Sequence, residues 1–525
     1  MANEHSEQSE RSEQSETSQQ SENSQQSENS QQSQRSEESD RSEQSILEKP
    51  TVVFEARLRE DIEDDLKCRA LRLTHNRLTK LLQEPEVGDI ICHIDSDILP
   101  LLAEESEDWE LATQELKSLV PVEIITVGDH KKPRNVKIRD VLSHFCIYKM
   151  HGAPVPGSSE ASDSTNLDDE YDDPEIPSAE VFDMPHHNFN ENWEELVFDQ
   201  DHKEDLSWMI SNMLTFSAGA GHSKKRMSPM ALFHGPPGTG KTTLCQAIAQ
   251  RLAIRLVKMF PRTKLIQVNT ATLLSKYYSE SAAQVDDLLT KIKEMCQNDP
   301  KRIIIVLIDE VESIAISRNS GVMHGEAQDS LRATNALLTG FDMVRSCPNV
   351  VFLSTSNMVD CLDEAFIDRC AIQIPFQSPS EESQYKILKG SVLELVRRGM
   401  IIEDVSGLIH YTQLIQSWQE ATLYSNPKDD YPAAKLLKIV NQLNSPAAKG
   451  KLGVSGRFLT QIPEQALMKC ARPNKTLSLD IALDYIMKFV EGLLNARGQK
   501  RKLSQLVAQP ETKHHCCCCV AKNDG

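Results

Sequence analysis

The sequence predicts a three-layer α/β domain with a parallel sheet, followed by a C-terminal helical lid and preceded by a small α/β domain and a disordered tail. Three observations predict it. Apolar runs alternate with helical patterns from Met230 to Ile374, which is the signature of a parallel sheet with crossover helices. One run, Ile303–Ile308, is unbroken and β-branched, as a strand buried on both faces requires. After Ser380 the pattern turns almost wholly helical.

Residues 1–46 open the chain with Ser, Glu, Gln, Arg and Asn in short repeats. Such a tract cannot bury enough apolar surface to offset chain ordering, so disorder is expected. It also accounts for the low hydrophobic content of 39%, since the rest of the chain returns to globular composition. In residues 47–153, Val52–Leu58 and Pro121–Val127 read as strands and Asp61–Leu78 as a helix. Residues 154–190 begin with a Pro-, Ser- and acid-rich stretch and read as a linker, or as an acidic surface loop. Residues 191–380 form the large α/β domain. Its expected strands are Met230–His234, Leu265–Asn269, Ile303–Ile308, Val350–Ser354 and Ile372–Ile374, with helices Lys241–Ala253 and Ser279–Glu294 between them. The helical lid is assigned to 381–498 and a C-terminal tail to 499–525.

The net charge of −21 opposes a phosphate backbone, so direct nucleic-acid binding is not expected as the main activity. No apolar run approaches the ~18 residues that span a bilayer, and the N-terminus lacks the apolar region of a secretory signal, so no membrane association is expected. Nine of the 13 cysteines are scattered singly, which suits reduced thiols, and Cys516–Cys519 form a run without zinc-finger spacing.

The turn after the first strand reads Gly235-Pro236-Pro237-Gly238-Thr239-Gly240-Lys241-Thr242, with Thr243 following. Glycines at these positions let the backbone turn tightly and aim N–H groups at phosphate oxygens, and the next helix offers its positive end to the same anion. Lys241 is expected on the β- and γ-phosphates of ATP and the Thr242 hydroxyl on Mg2+. The buried run Ile303–Ile308 ends in Asp309-Glu310. In this context Asp309 holds Mg2+ and Glu310 polarises the attacking water, which implies hydrolysis and not binding alone. Asn357 closes the Val350 strand, at the sheet edge where open α/β sheets take ligands, and its amide suits water orientation.

The order of phosphate turn, Asp-Glu pair, strand-end Asn and helical lid resembles AAA+ ATPases. The segments GPPGTGKTTLCQAIAQRLAIRL, SKYYSES, VLIDEVESI, STSN, DRCAIQIPFQSPS and SGRFLTQIPEQAL resemble the pachytene checkpoint protein 2 family, also known as the thyroid-receptor-interacting protein 13 family. The phrase PSAEVFDMPHHNFNENWEELVFD resembles the segment leading into that family's ATPase core. The resemblance is specific from about Pro177 to Phe376, patchy over the lid and weak over 47–150. It implies a homo-hexamer that remodels HORMA-domain proteins, engaged through an adaptor by the N-terminal domain. The implied setting is the spindle checkpoint and the meiotic chromosome axis, in nucleus and cytoplasm.

By position, Arg369 is a candidate for the arginine sent to a neighbour's γ-phosphate, with Arg318 and Arg332 as competitors, while a surface salt bridge is the plainer role for each. Arg457, in Ser455-Gly456-Arg457, would open a lid helix and reach the γ-phosphate in the same subunit; Ser455 there also reads as a helix cap. Lys276-Tyr277-Tyr278 occupies the stretch that lines the pore of AAA+ rings. Adjacent residues point apart, so one tyrosine is expected in the pore and one in packing. Asn319–Asp329 is a candidate second pore loop. Two other readings are a different AAA+ disassembler, of the microtubule-severing or SNARE type, and a nucleotide-gated scaffold without catalysis. The tracts SKYYSES and DEVESI oppose the first, and Glu310, Asn357 and Arg457 together oppose the second.

Overall fold

The structure, a computed structural model, describes residues 51–58, 72, 76, 91–93, 123–128, 135–137, 142–152, 176, 178–199, 202–219, 229–273, 281–317, 326–402, 417–424, 431–445, 454–470 and 477–507. The chain divides into two compact units at Met150/His151. In the first, β1 (Thr51–Arg57) is the middle strand of a three-stranded sheet. A short pair, β2 (Ile91–His93) and β4 (Asn135–Lys137), is antiparallel. β1 pairs antiparallel with β3 (Glu123–Gly128) and parallel with β5 (Leu142–Tyr148). Phe54 and Phe145 face each other across β1 and β5 with ring centroids 5.5 Å apart. Both strands expected from the sequence are therefore present. The expected helix Asp61–Leu78 lies largely outside the described residues, as do the N-terminal tract, most of the acidic stretch and the Cys516–Cys519 run.

The second unit is built on a six-stranded sheet. Its strands are β6 (Ala179–Met184), β7 (Met230–His234), β8 (Arg262–Val268), β9 (Arg302–Ile308), β10 (Val350–Ser356) and β11 (Ile372–Pro375). In space they run β11-β7-β10-β9-β8-β6, all parallel except β6, which lies antiparallel on the β8 edge. All seven residues of β9 and of β10 are buried, as central strands covered on both faces must be. The two-residue period divides them cleanly. Met230, Leu232, Ile304, Val306, Val350 and Phe352 pack on the helices Ser281–Asn298 and Glu326–Val344. Ala231, Phe233, Ile303, Ile305, Val351 and Leu353 pack on His202–Gly219 and Lys241–Arg255. β6 comes from residues that the sequence reading gave to the linker 154–190. Its Val181 and Phe182 stand beside Glu180 and Asp183, and Asp183 meets Lys264 of β8 at 3.5 Å.

The lid is a separate apolar cluster built from Glu381–Arg397, Trp418–Tyr424, Pro432–Leu443, Gly456–Cys470 and the start of Leu479–Val507. A two-stranded parallel ribbon, β12 (Ile401–Ile402) with β13 (Leu477–Ser478), joins it. The first lid helix is capped by Ser380, whose hydroxyl accepts from Ser383 N at 3.3 Å, and Glu381 and Glu382 complement its positive end. Pro432 starts another helix, where its missing N–H is no loss. Buried Lys435 is paired with Asp484 at 2.8 Å and Asp480 at 3.5 Å, as a buried charge must be.

Helices Ser281–Asn298 and Glu326–Val344 approach closely at Gly340, where an added Cβ would lie 2.1 Å from Leu289 Cδ1 and 3.0 Å from Leu289 Cβ. Gly340→Val is therefore expected to destabilise the domain by about 1–3 kcal/mol through overpacking. Denaturant unfolding with an unchanged midpoint would contradict that close approach.

Candidate functional site

Strand register brings three loops to one edge of the sheet. Ser356 of β10 pairs with His234 of β7, and Ser354 pairs with Ile308 of β9. The chain leaves β7 toward β8 on one side and returns to β11 on the other, so the loop after β7 sits at the reversal of strand order. Open α/β sheets bind ligands there. That loop is the glycine-rich turn. Gly235, Gly238 and Gly240 have φ of 144°, 73° and 91°, conformations that L side chains rarely adopt. A Cβ on Gly235 would lie 2.3 Å from the Phe376 carbonyl oxygen, and one on Gly240 would lie 2.8 Å from Leu196. Pro236 and Pro237 are exposed, and Thr239 Oγ1 donates back to the Pro236 carbonyl at 3.0 Å. The helix that follows has no side-chain cap, so its first N–H groups, through Thr242 and Thr243, are left for an anion.

Lys241 joins the loop to the strand ends. Its Nζ donates to the Gly235 and Pro236 carbonyls at 2.9 and 2.8 Å and to Asn357 Oδ1 at 2.8 Å. With Oδ1 engaged, the Asn357 NH2 group is the end of that amide able to donate elsewhere. Burial pushes the Lys241 ammonium below its ordinary pKa; Asp309 and Glu312 oppose the shift and Arg457 adds to it. Burial and the nearby Lys241 likewise lower His234.

The acids after β9 are held by β10. Thr242 Oγ1 donates to Asp309 Oδ1 at 2.9 Å, and the Thr355 hydroxyl donates to the same oxygen. Thr355 in turn accepts the Glu310 N–H at 3.2 Å. Thr242 and Asp309 thus offer adjacent oxygens, the donor type a hard divalent cation takes. Glu310 has φ 52° and ψ 50°, a left-handed backbone unique among the described non-glycine residues. Such a conformation costs on the order of 1–2 kcal/mol and persists where surrounding bonds enforce it. Its side chain is exposed. Asn357 N–H donates to Glu312 Oε1 at 3.0 Å.

The lid reaches the same loop. Arg457 N–H donates to the Gly238 carbonyl at 3.1 Å, and a Cβ on Gly238 would lie 2.8 Å from Ser455 Oγ. Ser455 also caps the lid helix, its Oγ accepting from Phe458 N at 3.2 Å. Below the loop, Asp199 accepts from the Ser380 hydroxyl and from Ser380 N at 3.1 Å. Burial alone would raise the Asp199 carboxyl, but the bonds from Ser380 and Ser383 and the charge of Lys386 hold it below its usual value.

The sequence-predicted residues Gly235–Thr242, Asp309, Glu310 and Asn357 therefore converge, and Arg457 joins them through its backbone. Arg369 does not join them. Its guanidinium makes a two-pronged bond to Asp342, at 3.1 and 2.7 Å, and a third to the Ala365 carbonyl at 2.8 Å. The Asp342 hydrogen bond raises Arg369 above its ordinary pKa. Arg332 is exposed on the helix Glu326–Val344. Arg318, Lys276, Tyr277 and Tyr278 lie outside the described residues, as does most of Asn319–Asp329. Thr355 and Glu312 were not singled out from sequence. The pairing of β9 with β10 would have indicated Thr355, since it lies one residue past the Ser354–Ile308 pair and so beside Asp309.

Residues 231–378 match the family model described as the ATPase family associated with various cellular activities (AAA). A pachytene checkpoint protein 2 homolog of Arabidopsis thaliana is 36% identical over 295 residues, which is 55% of this chain and 61% of the relative, short of two thirds of its length. A Caenorhabditis elegans pachytene checkpoint protein 2 is 30% identical over 67% of this chain and 78% of its own length. The Danio rerio homolog is 31% identical over 65% and 75%. The solved structure of C. elegans PCH-2 superposes with a TM-score of 0.61 at 22% identity, covering 85% of this chain and 99% of that one, which is a likeness of fold. With 30% identity across 78% of a relative's length, and with an AAA domain carrying this site, the chain belongs to the pachytene checkpoint protein 2 family of AAA ATPases.

Proposed function

We propose that this protein hydrolyses ATP with Mg2+ at the Gly235–Thr243 loop and uses the energy to remodel HORMA-domain proteins. The observation that carries the catalytic half is the pair of links across the strand ends, Lys241 to Asn357 and Thr242 to Asp309. They bring a cation, a neutral amide and two cation-binding oxygens onto one loop. In this reading Lys241 exchanges its loop carbonyls for phosphate oxygens. Thr242 and Asp309 hold Mg2+, which supplies charge neutralisation at the phosphates. Glu310, exposed at the rim, takes the proton of the attacking water, and the Asn357 NH2 group orients that water. Arg457, whose N–H already bonds the loop at Gly238, is suited to sense the terminal phosphate from the same subunit.

Family membership and the quoted motifs support the remodelling half. The protein acts as a homo-hexamer, with residues 47–153 engaging substrate through an adaptor, without direct nucleic-acid or membrane binding. It works in spindle-checkpoint or meiotic chromosome-axis control, in the nucleus and the cytoplasm. Arg369 serves the neighbouring subunit's phosphate after releasing Asp342. Such a contact is worth about 10³–10⁵ in rate, far more than an exposed ion pair of ~0–1 kcal/mol. Lys276, Tyr277 and Tyr278 grip the threaded segment.

Two experiments test this reading. Glu310→Gln is expected to bind ATP and retain a HORMA-domain protein in a pull-down while turnover falls by at least about 10²-fold; turnover at the parent rate would remove Glu310 from its role. Changing Tyr277 and Tyr278 together to Ala is expected to abolish conversion of a HORMA-domain substrate, followed by gel filtration or by native electrophoresis. Undiminished conversion would refute the pore assignment.

A further inference from the structure

Glu312 lies two residues past the hydrolytic glutamate, on the short 3-10 turn Val311–Ser313. Its Oε1 accepts the backbone N–H of Asn357 at 3.0 Å, across the gap between the ends of β9 and β10. Its Oε2 is buried with no hydrogen-bond partner among the described residues. A carboxylate oxygen buried without a hydrogen bond costs folding free energy. The carboxylate sits where the geometry is most demanding. Asn357 must present its NH2 group while its Oδ1 is held by Lys241, and the direction of that amide depends on where its backbone is fixed. Glu310 itself stands in a strained left-handed backbone whose carbonyl accepts the Ser313 hydroxyl at 2.7 Å and the Ser313 N–H at 3.0 Å. The turn bearing Glu312 therefore braces Glu310 on one side and Asn357 on the other.

We propose that Glu312 is a positioning residue for hydrolysis: by holding the Asn357 backbone it sets the distance between the Asn357 amide and Glu310. It acts through its neighbours, by the bond to the Asn357 backbone. The inference rests on the reading of this site as one that hydrolyses ATP.

The test uses the purified full chain and ATP titrations of Glu312→Asp, Glu312→Gln, Asn357→Ala and the Glu312→Asp/Asn357→Ala double variant. The shorter Asp cannot reach the Asn357 N–H without displacing it. A displacement near 1 Å can cost roughly 10²-fold in rate, so kcat is expected to fall about 10- to 100-fold with KM within about threefold. Gln keeps both reach and acceptor and is expected to stay within about threefold of the parent. Adding Glu312→Asp to Asn357→Ala is expected to cost less than about threefold further, because coupled residues are not additive. A Gln variant as slow as Asp, an Asp variant with parental kcat, or single losses that multiply in the double variant would each overturn the proposal. Failure of the parent chain itself to hydrolyse ATP would instead overturn the reading of the site.

Discussion

The Lys241 ammonium is the point at which the loop after β7 and the end of β10 become one site, with the acids after β9 close by. It is buried, and a buried cation is tolerated only where acceptors surround it. Two of its acceptors are carbonyls of its own loop and the third is the side-chain oxygen of Asn357, 116 residues away. The other features of the site follow from this requirement. The loop must bend back over the lysine, which demands positive φ at glycines. β10 must end level with β7, so that Asn357 arrives at the right height. Asp309 and Glu312 lie near enough to favour the charged lysine against burial. The interior of the sheet supplies only the frame that fixes those levels.

Much of that frame was legible in the sequence because it rests on local rules. The unbroken apolar runs of β9 and β10 announced central strands, and β7 has the bounds its composition suggested. The limits are as instructive. β10 continues past Ser354 through Thr355 and Ser356, polar residues that read as a strand exit. They remain in the strand because their hydroxyls are consumed by the site, Thr355 by Asp309 and Glu310 and Ser356 by Met358 N. β8 begins at Arg262, before its apolar stretch, because Arg262 and Lys264 find Asp299 and Asp183 as partners. β6 escaped notice because Ala179, Val181, Phe182 and Met184 do not alternate with Glu180 and Asp183 at a strand's period; β8 gives it a partner. The Glu312–Asn357 bond spans 45 residues and depends on register, which sequence spacing does not encode.

Arg369 marks a second boundary of sequence reading. Its motif gave a candidate role, and the fold gave it an occupation: a fork onto Asp342 on the helix Glu326–Val344. Both ends of that fork are partly exposed, with side-chain exposures of 29% and 52%. A pair this open is screened and exchangeable. It gives the arginine a defined place on the surface of the domain.

The segment Trp193–Asp199 draws these parts together. Leu196 lies against Gly240 of the phosphate loop, Phe198 meets Phe376 edge-on at 5.5 Å, and Asp199 holds the cap of the first lid helix. Loop and lid are thus pinned to one short piece of chain just ahead of the domain's first long helix. The consequence is kinematic. A body fastened at one post by Ser380 and resting on a second at Gly238 can swing about the first only when the second lets go. Ser380 is thus the hanging stile and the Arg457 N–H on the Gly238 carbonyl the latch.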